Sequence, residues 1–175
     1  IRVRPAAEDF MMKVAEKAQD DIKSQIKSKK DKEIYKEFWS KLLPIIKSKS
    51  TFFQNSKPSY KPWIGDNVGI RGISFGFVVT KSAVRIQLYI ECNDKGENEN
   101  IFDKLSKSRE QIDKDFGEGL DWERKDKHLH CRVQFEKPKD FSDKGEWDSI
   151  IDFMTNKMVK LENAFNGPIA KLKDK

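Results

Sequence analysis

In its middle stretch the chain alternates apolar and polar residues with a period of two. Ile73, Phe75, Phe77 and Val79 alternate with Ser74, Gly76 and Thr80, and only Val78 interrupts the polar side. After a turn at Lys81 and Ser82, Val84, Ile86, Leu88 and Ile90 alternate with Arg85, Gln87, Tyr89 and Glu91. Two such runs joined by a short polar turn predict a β-hairpin with one buried face. Residues 63–70 add a candidate edge strand. Further on, Leu120, Trp122 and Arg124 share one parity. Leu129, Cys131, Val133 and Phe135 form an apolar set opposite His128, His130, Arg132 and Gln134, with residues 125–127 as the connecting turn.

Elsewhere the period is 3.6. Met11, Val14, Ala15, Ala18, Ile22 and Ile26 predict a narrow-striped helix over residues 5–29. The charged run 27–32 reads as a break. A second helix carries Ile34, Tyr35, Phe38, Trp39, Leu42, Leu43 and Ile46, and Pro44 is expected to kink or end it. Residues 48–62 read as a loop. A polar turn over 94–100 leads to a helix with Ile101, Phe102, Leu105, Ile112 and Phe116 inward, stopped by Gly117. The last helix starts near Asp143, runs through Trp147, Ile150, Met154, Met158, Leu161 and Phe165, and is expected to end at Gly167 and Pro168. The order ααβ(β)βαββα predicts an α+β fold with a mostly antiparallel sheet of four or five strands. Residues 1–30 read as an N-terminal helix and candidate linker to an upstream domain, and 31–175 as a single α+β domain. A chain that begins at Ile1 reads as a piece of something longer.

Composition narrows the classes. The chain has 175 residues, and a chain of that length buries roughly 70% of its unfolded surface, so it needs no disulfide or metal to hold a core. No apolar run approaches the ~20 residues of a membrane span. Two cysteines, Cys92 and Cys131, are too few for a disulfide scaffold, and a reducing cytoplasm is the expected setting.

The net charge of +6 is uneven. Residues 1–62 hold 15 Lys and Arg against 8 Asp and Glu, whereas residues 63–175 hold 20 against 21. The densest cluster is Lys23, Lys27, Lys29, Lys30 and Lys32; a second is Lys47, Lys49, Lys57 and Lys61. Such a stripe reads either as phosphate-neutralising or as a solvated helix face. Lysine is a poor bidentate reader, which favours the second.

Alternation gives the chemistry a place. An antiparallel sheet with one apolar face can leave the other wet. Arg85, Gln87, Tyr89, His130, Arg132 and Gln134 are expected on that second face, where Arg, Tyr and His suit an anionic or extended partner. The alternative is a polar face covered by the N-terminal helices or by water. Candidate nucleic-acid contacts are therefore Arg71, Arg85, Tyr89, His130 and Arg132, with Lys29 and Lys30 from the basic helix.

Other chemistries are poorly supported. His128 and His130 lie two apart on one strand, no CxxC or HxxxH occurs, and zinc needs three or four converging ligands, so no metal is expected. No cofactor is expected either. No GxSxG elbow is present. The stretch GDNVGIRGISFG (65–76) lacks the GK[ST] of a phosphate loop and runs into a strand, so its glycines read as a close backbone approach or a bulge. Glu123 and Lys125 match an E-x-K spacing and, with Glu91, would be the site of a Mg²⁺-dependent nuclease. A hairpin-turn lysine explains the spacing as well, and the residues favour a non-catalytic chain.

From Trp39 onward the chain resembles a prokaryotic domain family of no assigned function. The resemblance rests on Phe38-Trp39-Ser40, Trp63-Ile64-Gly65, Gly69 and Gly72, Arg85 with Leu88-Tyr89-Ile90, Ile101-Phe102-Asp103 with Leu105, and Leu120 with Trp122-Glu123-Arg124. Arg132, Trp147 and Phe165 also fall in place, and the match covers about three quarters of the chain. Lys125 departs from the pattern, standing where the family has an apolar residue. The family is similar to a C-terminal domain that follows a restriction-nuclease-like half of the PD-(D/E)xK type. The resemblance implies a role beside nucleic-acid chemistry, with the upstream half as partner, and transfers no catalytic residue. A protein-interaction or dimerisation module, built on the 147–165 stripe and the first helix, is the other reading.

Overall fold

The computed structural model describes residues 5–125 and 129–174, with side chains from residue 9 onward. One helix, α1 (Pro5–Lys49), opens the chain. Three strands follow, β1 (Trp63–Asn67), β2 (Ile73–Val79) and β3 (Ala83–Ile90), then α2 (Lys95–Ser106) and α3 (Arg109–Phe116). Strands β4 (Asp121–Glu123) and β5 (Cys131–Pro138), a short 3-10 turn (Lys144–Glu146) and α4 (Trp147–Lys173) complete it. The five strands form one antiparallel sheet in the order β1-β2-β3-β5-β4. The fold is α+β, as the alternating and helical periods predict.

The apolar parity is buried throughout. Ile73, Phe75, Phe77 and Val79 on β2, and Val84, Ile86, Leu88 and Ile90 on β3, are all at most 1% exposed. Cys131, Val133 and Phe135 continue this face on β5. Helix α4 lies over β3, and the second half of α1 packs on α4. Phe38, Phe141 and Trp147 meet edge to face and stacked at 5.0–5.5 Å. Two indole N–H groups find carbonyls: Trp39 donates to Lys61 and Trp147 to Phe141, each at 2.8 Å. These bonds remove the desolvation cost a buried indole would otherwise carry.

Several boundaries differ from the sequence expectation. The break over 27–32 does not form, and α1 is a single helix of 45 residues. That run contains neither glycine nor proline, and like-charge i,i+4 pairs cost only about 0.2–0.5 kcal/mol each. Pro44 lies inside α1 and Pro168 inside α4, and neither ends its helix. Beyond each proline a core residue is buried, Ile46 after Pro44 and Ile169 after Pro168. That packing offsets the roughly 3 kcal/mol an interior proline costs.

The helix expected from Ile101 starts at Lys95, capped by Asp94, whose side chain accepts from the Glu97 N–H. It is also split in two after Ser106. Asn98 explains the early start. It is 1% exposed, accepts from the Cys92 N–H at 2.7 Å, and donates to the Leu129 carbonyl. This amide ties α2 to the ends of two strands. Leu129, expected on the apolar face, is 45% exposed, because β5 begins two residues later. The expected turn over 125–127, beyond Lys125, and His128 lie outside the described residues.

Burial divides α1. Residues 9–33 are exposed on every side, including the stripe that contains Met11, Val14, Ile22 and Ile26. Only from Ile34 does the helix join the core. At its end, Ser50 donates to both carboxylate oxygens of Glu162 at 2.8 Å and accepts from the Phe52 N–H. Burial pushes the Glu162 carboxyl up to about 7, against the Ser50 hydrogen bond and with help from Asp66. Among the described residues no helix is long and apolar enough to cross a membrane.

Candidate functional site

The second face of the sheet can be built from register alone. Three rows of side chains cross it. The first runs Trp63, Val78, Arg85, Glu136. The second runs Gly65, Gly76, Gln87, Gln134, Asp121. The third runs Asn67, Ser74, Tyr89, Arg132, Glu123. The middle row has no side chains on β1 and β2, because two glycines stand opposite each other there. The rows on either side rise past that gap. The result is a trough of about 520 Å³ floored by Gly65 and Gly76 and lined by Trp63, Arg85, Gln87, Tyr89, Glu91 and Arg132, among others. A volume of this size suits one small ligand.

The rest of the face is braced. Gln134 is only 5% exposed despite its polar parity. It accepts from Arg85 Nη1 at 3.1 Å and donates to Asp121 at 3.0 Å and Glu123 at 3.3 Å. Arg132 Nε donates to Glu123 Oε2 at 2.5 Å, and Lys125 approaches the same oxygen at 3.2 Å. Burial opposes ionisation of Glu123, but the hydrogen bonds from Arg132 and Lys125 outweigh it and hold the carboxyl below its usual range. The Tyr89 ring stacks on His130 at 5.1 Å. Burial and the Glu91 hydrogen bond push the Tyr89 phenol up to about 12, so it stays protonated. Burial, then the like charge of Arg132, lowers the Arg85 guanidinium below its usual range.

Among the described residues, two buried side-chain atoms of residues that line the trough have no hydrogen-bond partner: Arg85 Nε, a donor, and Gln87 Oε1, an acceptor. They belong to neighbouring outward residues of one strand. Leaving a buried polar group unmade costs about 1–3 kcal/mol. Orphans of this kind are rare in folded proteins.

The expected contact residues therefore separate. Arg85, Tyr89 and Arg132 line the trough, and His130 backs Tyr89. Arg71 is exposed in the β1–β2 turn, where its carbonyl accepts from the Cys92 thiol at 3.3 Å, and it does not line the trough. Lys29 and Lys30 belong to another surface, a concavity along α1 with Ile34, Tyr60 and Lys144. The glycines and Trp63 join the trough without being expected contacts. The signal was local, since Gly65 and Gly76 both fall on the polar parity of their strands, but its meaning depends on their pairing. Gly72 shows the close approach expected in this stretch. Its φ is +81°, and a Cβ there would lie 2.6 Å from the Glu91 carbonyl oxygen.

Glu123 ends β4, and Lys125 of the E-x-K spacing follows it with a positive φ. Lys125 pairs with Glu123 itself, and Arg132 takes the same carboxylate. A carboxylate neutralised by two cations is a poor Mg²⁺ ligand. Among the described residues no three His, Cys, Asp or Glu converge as a metal ion requires.

A family model described as Domain of unknown function (DUF4268) matches residues 34–169. The chain belongs to this family. No curated protein and no solved structure matches it. The DUF4268 boundaries coincide with burial: Ile34 is where α1 joins the core, and Ile169 is the last buried residue of α4. The trough lies wholly within the DUF4268 region, whereas Lys29 and Lys30 precede it.

Proposed function

We propose that this chain is a non-catalytic accessory module of a larger prokaryotic, cytoplasmic protein, that it assists nucleic-acid binding through the polar face of its sheet, and that the neighbouring half is nuclease-like. The observation that carries the reading is the trough: a concave surface with glycines, two aromatic side chains and two arginines on the polar face of the sheet. Such a surface suits single strands, whose unstacked bases reach aromatic side chains. Within the trough Glu91 and the Glu123 carboxylate behind Arg132 oppose a phosphate. Backbone contacts fall instead to lysines outside it, Lys61 beside Trp63 and the α1 series at Lys23, Lys27, Lys29 and Lys30.

The test is fluorescence anisotropy with labelled single-stranded and duplex DNA. At about 50 mM salt the single strand is expected to bind, and log affinity to fall linearly with log salt. No affinity for either form at that salt overturns the reading.

A second reading has its own observation. Phe10, Met11 and Met12 on the outer half of α1 are 64–65% exposed, an apolar surface suited to a protein partner. The 147–165 stripe cannot serve this role, because Trp147, Ile150, Met154 and Phe165 are at most 1% exposed in the core. A monomer at high concentration by light scattering removes the dimer form of this reading.

A further inference from the structure

We infer that the outer half of α1 pairs antiparallel with the same segment of a second copy of this chain, giving a two-fold symmetric dimer. This rests on the second reading above and specifies the partner and its direction.

The apolar stripe points away from its own domain. Met11, Ala15, Ala18, Ile22 and Ile26 recur at three- and four-residue spacing with Val14 beside them, as on a helix that packs along another helix. At about 100° per residue the stripe is centred roughly 120° around α1 from Phe38, Trp39, Leu42, Leu43 and Ile46, which enter the core. The core face of α1 therefore does not continue into it, and Met11, Ile22 and Ile26 are 52–65% exposed. Most of a helix's stability in a protein comes from packing such a face.

Charge selects a second copy and sets its direction. Residues 9–21 hold four acids and two lysines, whereas residues 22–33 hold five lysines and two acids. Parallel pairing lays Lys23, Lys27, Lys29 and Lys30 beside the same four lysines, and like charges oppose association. Antiparallel pairing about a two-fold axis near Gln19 sets Glu16 level, to within one residue, with Lys23 of the second copy, Asp21 with Lys17, and Asp9 with Lys30. A two-fold contact needs this kind of self-complementary patch. Ile26 also lines the concavity that α1 forms with Tyr60, where Lys29, Lys30, Lys36 and Lys144 outnumber Glu33 and Glu37. The antiparallel copy brings its own outer end there, with Asp9 and the exposed Phe10 and Met12. Lys27 turns away from the stripe and stays open to the nucleic-acid contact proposed above.

The experiment measures the mass of the whole chain by light scattering across a concentration series, for wild type and for Ile22→Asp. Position 22 lies outside the core, and circular dichroism confirms that the variant is folded. A wild-type dimer is expected, and Ile22→Asp should weaken it at least about tenfold. Added salt should weaken it too, because opposite charges face each other. A spin label on Ser28→Cys reads the direction, since the native Cys92 and Cys131 are buried. Antiparallel pairing holds the two labels about 30 Å apart, and parallel pairing holds them within about 20 Å. A wild-type monomer at high concentration overturns the inference and, with it, the dimer form of the second reading. A dimer that Ile22→Asp does not weaken overturns the inference, because the copies then meet elsewhere. A dimer that Ile22→Asp does weaken, but whose labels lie close or which tightens with salt, is not the charge-matched antiparallel pair. That result overturns the inference and leaves the second reading standing.

Discussion

Valine at position 76 is expected to abolish single-strand binding while leaving the fold as stable as before, or more so. Gly76 has ordinary extended backbone, and a Cβ there would meet the Ile64 carbonyl oxygen at 3.5 Å and the Cγ and Nε2 of Gln87, which lies over it, at 3.6 Å, all normal contacts. The backbone therefore accepts a side chain. Glycine inside a strand costs roughly 0.5–1 kcal/mol relative to alanine, and valine favours the strand further. A gain of that size raises Tm by roughly 1–4 °C in a chain of this length. The valine methyl groups, however, push the overlying Gln87 side chain into the trough and fill it from the floor. Affinity should fall at least about tenfold, or about 1.4 kcal/mol. Gly72 is the contrasting position, with φ at +81° and a Cβ site 2.7 Å from Cys92 Sγ, so any side chain there strains the fold itself. Anisotropy and thermal melting of Gly76→Val measure both halves of the expectation. Wild-type affinity in a well-folded Gly76→Val protein means that nothing binds over the glycines.

The second large effect concerns pH. The Glu162 carboxyl rises to about 7 in the folded chain, from an ordinary value of 4.5, chiefly through burial. A raised folded value means that the native state holds this proton more tightly than the unfolded chain. The stability it contributes is complete below about pH 4.5, declines between about 4.5 and 7, and is gone above 7. The shift sets a ceiling of about 3 kcal/mol, and solvent that reaches the carboxyl lowers this to about 1–3 kcal/mol. Glu162→Gln keeps an oxygen for Ser50 and removes the charge. Between about pH 5 and 8 the wild-type Tm should therefore fall against that of the variant by roughly 2–12 °C. Parallel melting curves for the two proteins would show that Ser50 and its surroundings already stabilise the carboxylate.

The two-faced sheet was legible because period-two alternation is a local signal. Arg85, Gln87 and Tyr89 could be placed outward, and Ile86 and Leu88 inward, from β3 alone. Helix ends were less legible, because burial beyond Pro44 and Pro168 overrode the local penalty of each proline. Leu129 misled for a similar reason. Its parity matched the strand, but the chain pairs only from Cys131. The trough could not be read from any one segment. It exists because Gly65 on β1 pairs with Gly76 on β2, and because Arg85 and Tyr89 flank that row from β3. Pairing is long-range information, and so is the absence of partners for Arg85 Nε and Gln87 Oε1.

Nucleic acid is proposed to dock on the polar sheet face, at the glycine row. Two-dimensional ¹H–¹⁵N NMR during titration with a short single strand reads that docking residue by residue. Shifts are expected in the Gly65 and Gly76 amides, the Arg85 side chain, the Gln87 carboxamide and the Trp63 indole. The Trp39 and Trp147 indoles, bonded to carbonyls in the core, should stay in place. Shifts confined to α1 and α4, with the glycine row silent, would contradict it.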